Sequence, residues 1–309
     1  MNYDPVFFDL PPDDTFAGEK YVEPYVFTED IAIAIDVAHI TGRPLLVEGK
    51  PGCGKSRLAE ALAAVKGWHY LNKSITSRTT LEDLTNEFDH LQRLHDAHAA
   101  GANRDSVKPD WEYNRPGIFW WAFNRESAQN RGKEHQQARS AFKGVERSQE
   151  GGANHTLLLI DEIDKAEPDL PNDLLDTIER RRIELRDGSF IAADDSSQTF
   201  TIITSNQERA LPAAFLRRCV SLYIEEPGEE DLKKIAKSHL GNEIDADLLQ
   251  QIVDKILDYR EREETEGLRV PGTSEFLDTL KVCIDRDIRP DDSSRVWRQV
   301  ENSILRKKA

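Results

Sequence analysis

The residues best suited to chemistry in this sequence form one glycine-rich run, GKPGCGKS, which extends from Gly49 to Ser56. Glycine lets backbone N–H groups turn inward around phosphate oxygens, and a helix that begins at such a run directs its positive end toward the anion. Lys55 could then reach the outer phosphates of a nucleotide, and the Ser56 hydroxyl could hold Mg²⁺. A chance glycine-rich turn is the simpler alternative. The residues assigned to nucleotide binding are Gly49, Pro51, Gly52, Cys53, Gly54, Lys55, Ser56 and Arg57.

Acidic and amide side chains follow two apolar runs further along the chain. Asp161 and Glu162 end the run LLLIDE, and Asn206 ends TFTIITSN. Asp161 is suited to hold Mg²⁺, Glu162 to activate a water as a general base, and Asn206 to orient that water or touch the last phosphate. The alternatives are solvated acids at an ordinary strand end and an asparagine that caps a turn. Together with the glycine-rich run, these residues predict binding and hydrolysis of ATP with Mg²⁺.

These residues need a frame of alternating strands and helices to position them. PLLVEG predicts a strand before the glycine-rich run, SRLAEALAAVKG a helix after it, and WHYLNKS a second strand. HTLLLIDEID, TFTIITSN and VSLYIEEP predict further strands, and TEDIAIAIDVAHITG predicts a capped helix before the first one. RIELRDGSFIAA predicts a β-hairpin. The order of these elements predicts an α/β fold with a parallel sheet.

Three other regions complete the predicted organisation. Residues 1–27 are rich in Pro and Asp and predict an irregular lead-in. Residues 80–152 predict an insert with two helical pieces, LEDLTNEFDHLQRLHDAHAA and IFWWAFNRESAQ, and a hydrophilic mobile loop from Asn130 onward. Four helical patterns fill the chain after Pro227. We therefore expect a core over residues 28–227 and an all-helical lid domain over residues 228–309.

Composition favours a cytoplasmic protein and disfavours general nucleic-acid binding. The net charge is −16, whereas affinity for nucleic acid rests on Lys and Arg that neutralise phosphates. A local basic channel stays open as an alternative. No apolar run approaches the roughly 20 residues that span a bilayer, and the N-terminus lacks the pattern of a signal peptide. Cys53, Cys219 and Cys283 lack the spacing of metal ligands.

Taken in order, the motifs resemble those of an AAA+ ATPase of the MoxR-like branch. GKPGCGKS is similar to Walker A, LLLIDE to Walker B and TSN to sensor 1, and LPAAFLRRCV is similar to the stretch that carries the arginine finger. The resemblance implies an AAA+ core of the P-loop NTPase class, a homo-oligomeric ring, usually a hexamer, and ATP at subunit interfaces. Arg218, or else Arg217, would be the finger. It also implies a protein client, and family members often act with a von Willebrand factor A-domain protein.

One motif departs from the family pattern. MoxR proteins usually place a sensor 2 arginine early in a lid helix, whereas PGTSEFLDTL has Ser274 and Glu275 at the corresponding place. Arg269 lies nearby in the sequence and is a candidate substitute. Two alternative functions stay open, and this departure supports only the second of them. One is a McrB-like NTPase linked to nucleic acid, and the other is a nucleotide-gated scaffold with slow turnover.

Overall fold

The structure is a computed structural model, and it describes residues 5–19, 21–100, 107–133, 140–149, 153–266, 270–291 and 293–305. Of residues 263–266, only the backbone is described. None of the helices in these ranges combines the length and the apolar character needed to cross a bilayer.

The regular elements alternate through the first two thirds of the chain and become helical after it. The strands are β1 (Thr15–Phe16), β2 (Tyr25–Val26), β3 (Leu45–Glu48), β4 (His69–Ser74), β5 (Asn86–Phe88), β6 (Asn114–Pro116), β7 (Thr156–Asp161), β8 (Arg182–Glu184), β9 (Phe190–Ala192), β10 (Thr199–Ser205) and β11 (Val220–Tyr223). The helices are α1 (Glu29–Thr41), α2 (Lys55–Val65), α3 (Leu81–Thr85), α4 (His90–Ala100), α5 (Ile118–Phe123), α6 (Arg125–Gln129), α7 (Leu170–Arg180), α8 (Ala213–Leu216), α9 (Glu229–Leu240), α10 (Ala246–Glu266), α11 (Thr273–Arg286) and α12 (Arg295–Ile304).

A five-stranded parallel sheet in the order β11-β3-β10-β7-β4 forms the centre of the α/β fold. β7 pairs in parallel with both neighbours, with Ile160 opposite Ile203 on β10 and Lys73 on β4. Because parallel strands of an α/β sheet are covered on both faces, β7 is an uninterrupted apolar run. The α/β class with a parallel sheet and the C-terminal helices predicted from the sequence are confirmed.

The chain divides into two compact units. The first consists of Met1–Asp36, Val47–Ala61 and Leu222–Ala309, and the second of Val37–Leu46 and Leu62–Ser221. Each unit has an apolar core of its own. In the first, Trp297 and Phe276 are fully buried among the C-terminal helices. In the second, the aromatic side chain of Trp120 is fully buried.

The N-terminal lead-in contains more structure than its composition predicts. β1 and β2 pair antiparallel, with Phe16 opposite Tyr25. Earlier in the chain, the fully buried carboxylate of Asp36 on α1 accepts the backbone N–H groups of Val6, Phe7 and Phe8 at 2.6, 3.0 and 2.9 Å. A buried carboxylate requires such donors, so this contact fixes the start of the described chain to α1.

The insert differs from its predicted helices in two places. The first piece breaks at β5, which pairs antiparallel with β6, so that only its ends are helical as α3 and α4. The second piece breaks at Asn124, whose side chain accepts the N–H of Ser127 and begins α6. Both breaks have a local cause, because an asparagine or aspartate side chain that caps a new helix competes with continuation of the old one.

The hydrophilic region after Asn130 is only partly described. Residues 134–139 and 150–152, on which part of the mobile-loop prediction falls, lie outside the described residues. Within the described part, Val145 and Tyr70 exchange backbone hydrogen bonds of 2.8 and 2.9 Å, which adds an antiparallel bridge to β4. The predicted hairpin is confirmed, since β8 and β9 pair antiparallel around a turn at Asp187.

Candidate functional site

The glycine-rich run forms a tight loop between β3 and α2. A Cβ on Gly49 would lie 2.5 Å from the carbonyl oxygen of Ile224 and 2.9 Å from Cys53 Sγ, so no larger residue fits there. Gly52 and Gly54 have φ angles of 84° and 96°, in the region that favours glycine. The backbone of this loop can therefore approach a ligand closely, as a phosphate cradle requires.

Lys55, the first residue of α2, is buried beneath this loop. Its Nζ donates to the carbonyl oxygens of Gly49 at 2.7 Å and Lys50 at 2.8 Å, so the ammonium is held inside the curve of the loop. Ser56 follows on the same first turn. Arg57 instead pairs with acids, Glu60 at 2.6 Å and Glu23 at 3.2 Å.

Cys53 lies within the loop and is buried. Burial raises the pKa of its thiol, against a lowering influence of the Lys55 ammonium. The ring of Tyr25 is the nearest neighbour of Gly54, and a Cβ there would lie 3.4 Å from it. Burial also raises the pKa of Tyr25, so its hydroxyl stays protonated.

The loop is connected to the C-terminal helices of the same unit through one shared carboxylate. Glu226 pairs with Lys50 of the loop at 3.0 Å and lies 3.9 Å from Arg260 on α10. Arg260 also donates to the carbonyl oxygen of Pro227 at 2.6 Å. Its Nε and Nη2 atoms are buried without hydrogen-bond partners, and burial lowers its pKa.

The start of α11 lies in the stretch PGTSEFLDTL, where the resemblance led us to expect a sensor 2 arginine. The N–H of Thr273 lies 3.3 Å from the carbonyl oxygen of Gly52, which places this helix end against the loop. Glu275 is used locally, since its Oε2 accepts the N–H of Gly272 at 3.1 Å and caps the helix. Arg269, the candidate substitute, lies outside the described residues.

A second group of predicted site residues lies where β7 and β10 end side by side. Thr204, a residue that the sequence reasoning missed, is fully buried and donates to Asp161 Oδ1 at 2.5 Å. Its hydroxyl oxygen accepts the N–H of Glu162 at 2.9 Å. Asn206 Nδ2 lies 3.4 Å from Glu162 Oε1. One hydroxyl therefore bonds the Asp161 side chain and the Glu162 backbone.

Glu162 has a second partner that the sequence reasoning missed. It adopts a left-handed backbone conformation, with φ 61° and ψ 49°, and the chain then makes a single 3-10 turn, Ile163–Lys165. This turn brings Lys165 Nζ to 2.7 Å from Glu162 Oε1. The hydrogen bond to Glu162 raises the pKa of Lys165. Non-glycine residues in this conformation occur disproportionately at functional sites.

Asp164 on the same turn holds the loop that carries Asn206. It is buried, and its two carboxylate oxygens accept the N–H groups of Asn206 at 3.3 Å and Glu208 at 3.0 Å. In the sequence, only the position of Asp164 two residues after Glu162 in LLLIDEID could have indicated that it binds this loop. The carboxylate fixes the loop relative to β7.

The two candidate finger residues lie on the surface of the second unit. Arg217 and Arg218 follow α8 and are exposed. Arg218 Nε lies 3.6 Å from Glu179 Oε1 on α7, and both side chains are 48% exposed. An exposed pair of this kind is weak, so Arg218 can exchange Glu179 for another anion.

The residues present fit a nucleotide and Mg²⁺. The loop around Gly49 permits close approach of phosphates, and Lys55 supplies a positive charge inside it. Across the described ranges, no group of three or more His, Cys, Asp or Glu side chains could hold a metal ion. Mg²⁺ is commonly held by one carboxylate, a hydroxyl and the phosphates of the nucleotide itself, and Asp161 and Ser56 are residues of these two types.

The parallel sheet, the glycine-rich loop and the acids at the end of β7 define a P-loop NTPase. Residues 44–219 match the family described as AAA domain (dynein-related subfamily), and this match covers more than half of the sequence. The chain therefore belongs to this family of AAA+ ATPases. No curated protein matches the chain.

Proposed function

We propose that the protein binds ATP with Mg²⁺ and hydrolyses it. The observation that carries this proposal is the position of Thr204, whose single hydroxyl bonds both Asp161 and the backbone of Glu162. Such a contact fixes the Asp161 carboxylate, assigned to the metal ion, relative to the backbone of Glu162, assigned to the water. A pair of acids that served only solubility would not need a buried hydroxyl between them.

Each residue then has a distinct task. The loop N–H groups and Lys55 bind the phosphates, while Ser56 and Asp161 hold Mg²⁺, which neutralises charge when bound. Glu162 accepts a proton from the attacking water, and Asn206 orients that water. Arg218, with Arg217 as the alternative, would stabilise developing negative charge in the site of a neighbouring copy.

We further propose that the protein is of MoxR type and works as a homo-oligomeric ring that remodels a protein client. The motif LPAAFLRRCV and the exposed position of Arg218 support the ring, because a finger must be accessible to a second copy. A client that is a von Willebrand factor A-domain protein would agree with the family pattern. Sedimentation with and without ATP measures the ring, which should form with ATP in the wild type and be lost in Arg218→Ala.

Replacement of Glu162 by Gln tests the hydrolysis directly. The variant keeps the size of the side chain but loses its basicity, so turnover should fall at least about 100-fold while ATP binding is retained. Phosphate release and titration of a fluorescent ATP analogue measure the two properties. Glu167→Gln, an exposed acid just beyond the site, is the matched control and should keep full turnover. Normal turnover in Glu162→Gln would contradict the assignment.

A second candidate function is a nucleotide-gated scaffold with slow turnover. Two observations favour it, the ion pair between Lys165 and Glu162 and the capping role of Glu275 where an arginine would be expected. The steady-state rate of the wild type separates the two. A rate indistinguishable from that of Glu162→Gln, combined with ATP-dependent assembly, would favour the scaffold.

A further inference from the structure

We propose that a cavity between α4 and the tip of the β8–β9 hairpin binds an extended segment of the protein client that has a carboxylate beside an apolar side chain. The inference rests on the proposed function, because it names where and how that client is held. The cavity lies wholly within the second unit, on elements outside the five-stranded sheet.

One face of α4 lines this cavity. His90, Arg93, Leu94 and Ala97 all contribute to its wall, and their spacing places them on a single side of the helix. In an ordinary amphipathic helix such a side packs against the core. Here α4 has no buried residue, and Leu94 is 53% exposed. The helix thus presents an apolar and cationic face to an open space.

The opposite walls supply aromatic surface. Phe88 of β5 and Trp111 of the short turn before β6 line the cavity, together with Leu185 at the hairpin. The volume is about 510 Å³, within the range of roughly 300–1,000 Å³ that is typical of ligand pockets. A space of this size and mixed lining accommodates a few residues of extended peptide rather than a single ion.

Two arginines, Arg93 and Arg186, and two acids, Asp110 and Asp187, line the cavity. Asp187 accepts the N–H of Ser189 at 3.0 Å. Arg186 lies over the ring of Phe88, 4.8 Å from its centre, and 3.3 Å from Nδ1 of His90. Neither partner is an acid, and among the described residues no ion pair is found for Arg186. Arg93, by contrast, is paired with Asp110 at 2.7 Å. Arg186 is therefore the guanidinium that can accept a carboxylate, which it binds through two parallel hydrogen bonds.

The apolar and ionic features are close enough for one short segment to use both. Phe88, the ring beneath Arg186, and His90 on α4 meet edge to face with ring centres 4.8 Å apart. Arg186 and the lining face of α4 therefore belong to one surface. A client segment with an apolar residue against Leu94 and Trp111 would direct a neighbouring Asp or Glu at Arg186.

An array of immobilised hexapeptides tests this specificity. Each probe peptide contains a central Leu, Phe or Trp followed by Asp or Glu, and its partner on the array has Asn or Gln instead. Wild-type protein should retain the carboxylate peptides about tenfold more strongly than their amide partners. Equal retention of the two sets, or no retention of either, would overturn the proposal. Binding of soluble acetyl-leucine as strong as that of the same hexapeptides in solution would also overturn it, because an extended segment would then not be required.

Matched variants identify the residues responsible. Arg186→Ala should abolish the preference for carboxylates, whereas Arg182→Ala, which removes an arginine stacked 4.7 Å over Phe190 of the same hairpin, should leave it intact. Leu94→Ser should weaken retention of all peptides, and Leu91→Ser, an exposed position of the same helix outside the cavity, should not. If the control variants lose the preference equally, the cavity is not the site.

ATP turnover measured on the same samples separates this inference from the proposed function. Arg186 and Leu94 have no part in the catalytic machinery, so both variants should keep the basal turnover of the wild type. Peptide specificity with no turnover in any sample would contradict the proposal that the protein hydrolyses ATP and would leave the cavity assignment intact. Turnover without peptide specificity would do the opposite.

Discussion

Lys165 Nζ lies 2.7 Å from Glu162 Oε1, the same oxygen that Asn206 Nδ2 approaches to 3.4 Å. The carboxylate assigned as general base therefore has one oxygen already occupied by two donors of its own chain. A water that approaches this oxygen must compete with them before it can lose a proton to it. Lys165 thus restrains the base that it accompanies.

Removal of the Lys165 amine should raise ATP turnover. Both side chains are about one third exposed, and exposed pairs contribute roughly 0.2–1 kcal/mol, so kcat should rise in Lys165→Ala by up to about fivefold. Lys165→Arg keeps the charge and is the control, with turnover close to that of the wild type. A fall in kcat for Lys165→Ala would show that the lysine assists the reaction instead.

Loss of the Thr204 hydroxyl should impair turnover without preventing nucleotide binding. In Thr204→Val the Asp161 carboxylate and the Glu162 N–H lose a shared partner, and such supporting contacts are worth about 10- to 100-fold. Turnover and affinity for a fluorescent ATP analogue are measured in parallel. Thr201→Val, another buried threonine of β10, should behave as the wild type. Thr204→Ser should recover most of the rate.

A methyl group on Gly49 should disrupt the phosphate loop. It would lie 2.5 Å from the carbonyl oxygen of Ile224, so the loop must move. Backbone strain of about 1–3 kcal/mol would weaken binding of an ATP analogue by about tenfold or more in Gly49→Ala. Gly228→Ala is the control, because a Cβ there meets no atom within 4 Å. Equal affinity of both variants would argue against close approach at Gly49.

Alkylation of Cys53 should be slow at neutral pH. Burial raises the pKa of this thiol, and only the thiolate reacts, so the reactive form becomes populated at higher pH than in an ordinary cysteine. Mass spectrometry of the Cys53 peptide measures the rate of labelling by N-ethylmaleimide. As the pH is raised, this rate should therefore increase at higher pH than it does for an ordinary cysteine. The same peptide in denatured protein gives the reference. Equal rates at pH 8 would contradict the raised pKa.

The parts of this fold that depend on neighbouring residues could be predicted from the sequence. The strand of LLLIDE, the helix after GKPGCGKS and the hairpin at Asp187 all have local signals in apolar pattern or turn residues. The break in the first helical piece also had a local signal that was missed. Asp89 accepts the N–H of Gln92 at 2.9 Å, which is an N-cap three residues before a glutamine.

The remainder depended on residues distant in sequence. β5 forms because it pairs with β6, and β6 follows in the sequence only after α4. A local pattern around β5 therefore could not predict this pairing. The role of Thr204 follows from the parallel register of β10 and β7, which no single strand reveals. Lys165 reaches Glu162 only because Glu162 adopts a left-handed conformation, which is unusual for glutamate.

Through the Asp36 carboxylate, the first described residues contribute to the stability of the unit that contains the phosphate loop. A chain shortened beyond Phe8 would leave this buried carboxylate without three of its donors, even though no residue near Gly49 had changed. Charged groups that lose such donors in a protein interior are costly, so the shortened chain would unfold more readily. Trimming at this end would then mimic a defective nucleotide site, and a loss of ATP binding after proteolysis would reflect stability rather than recognition.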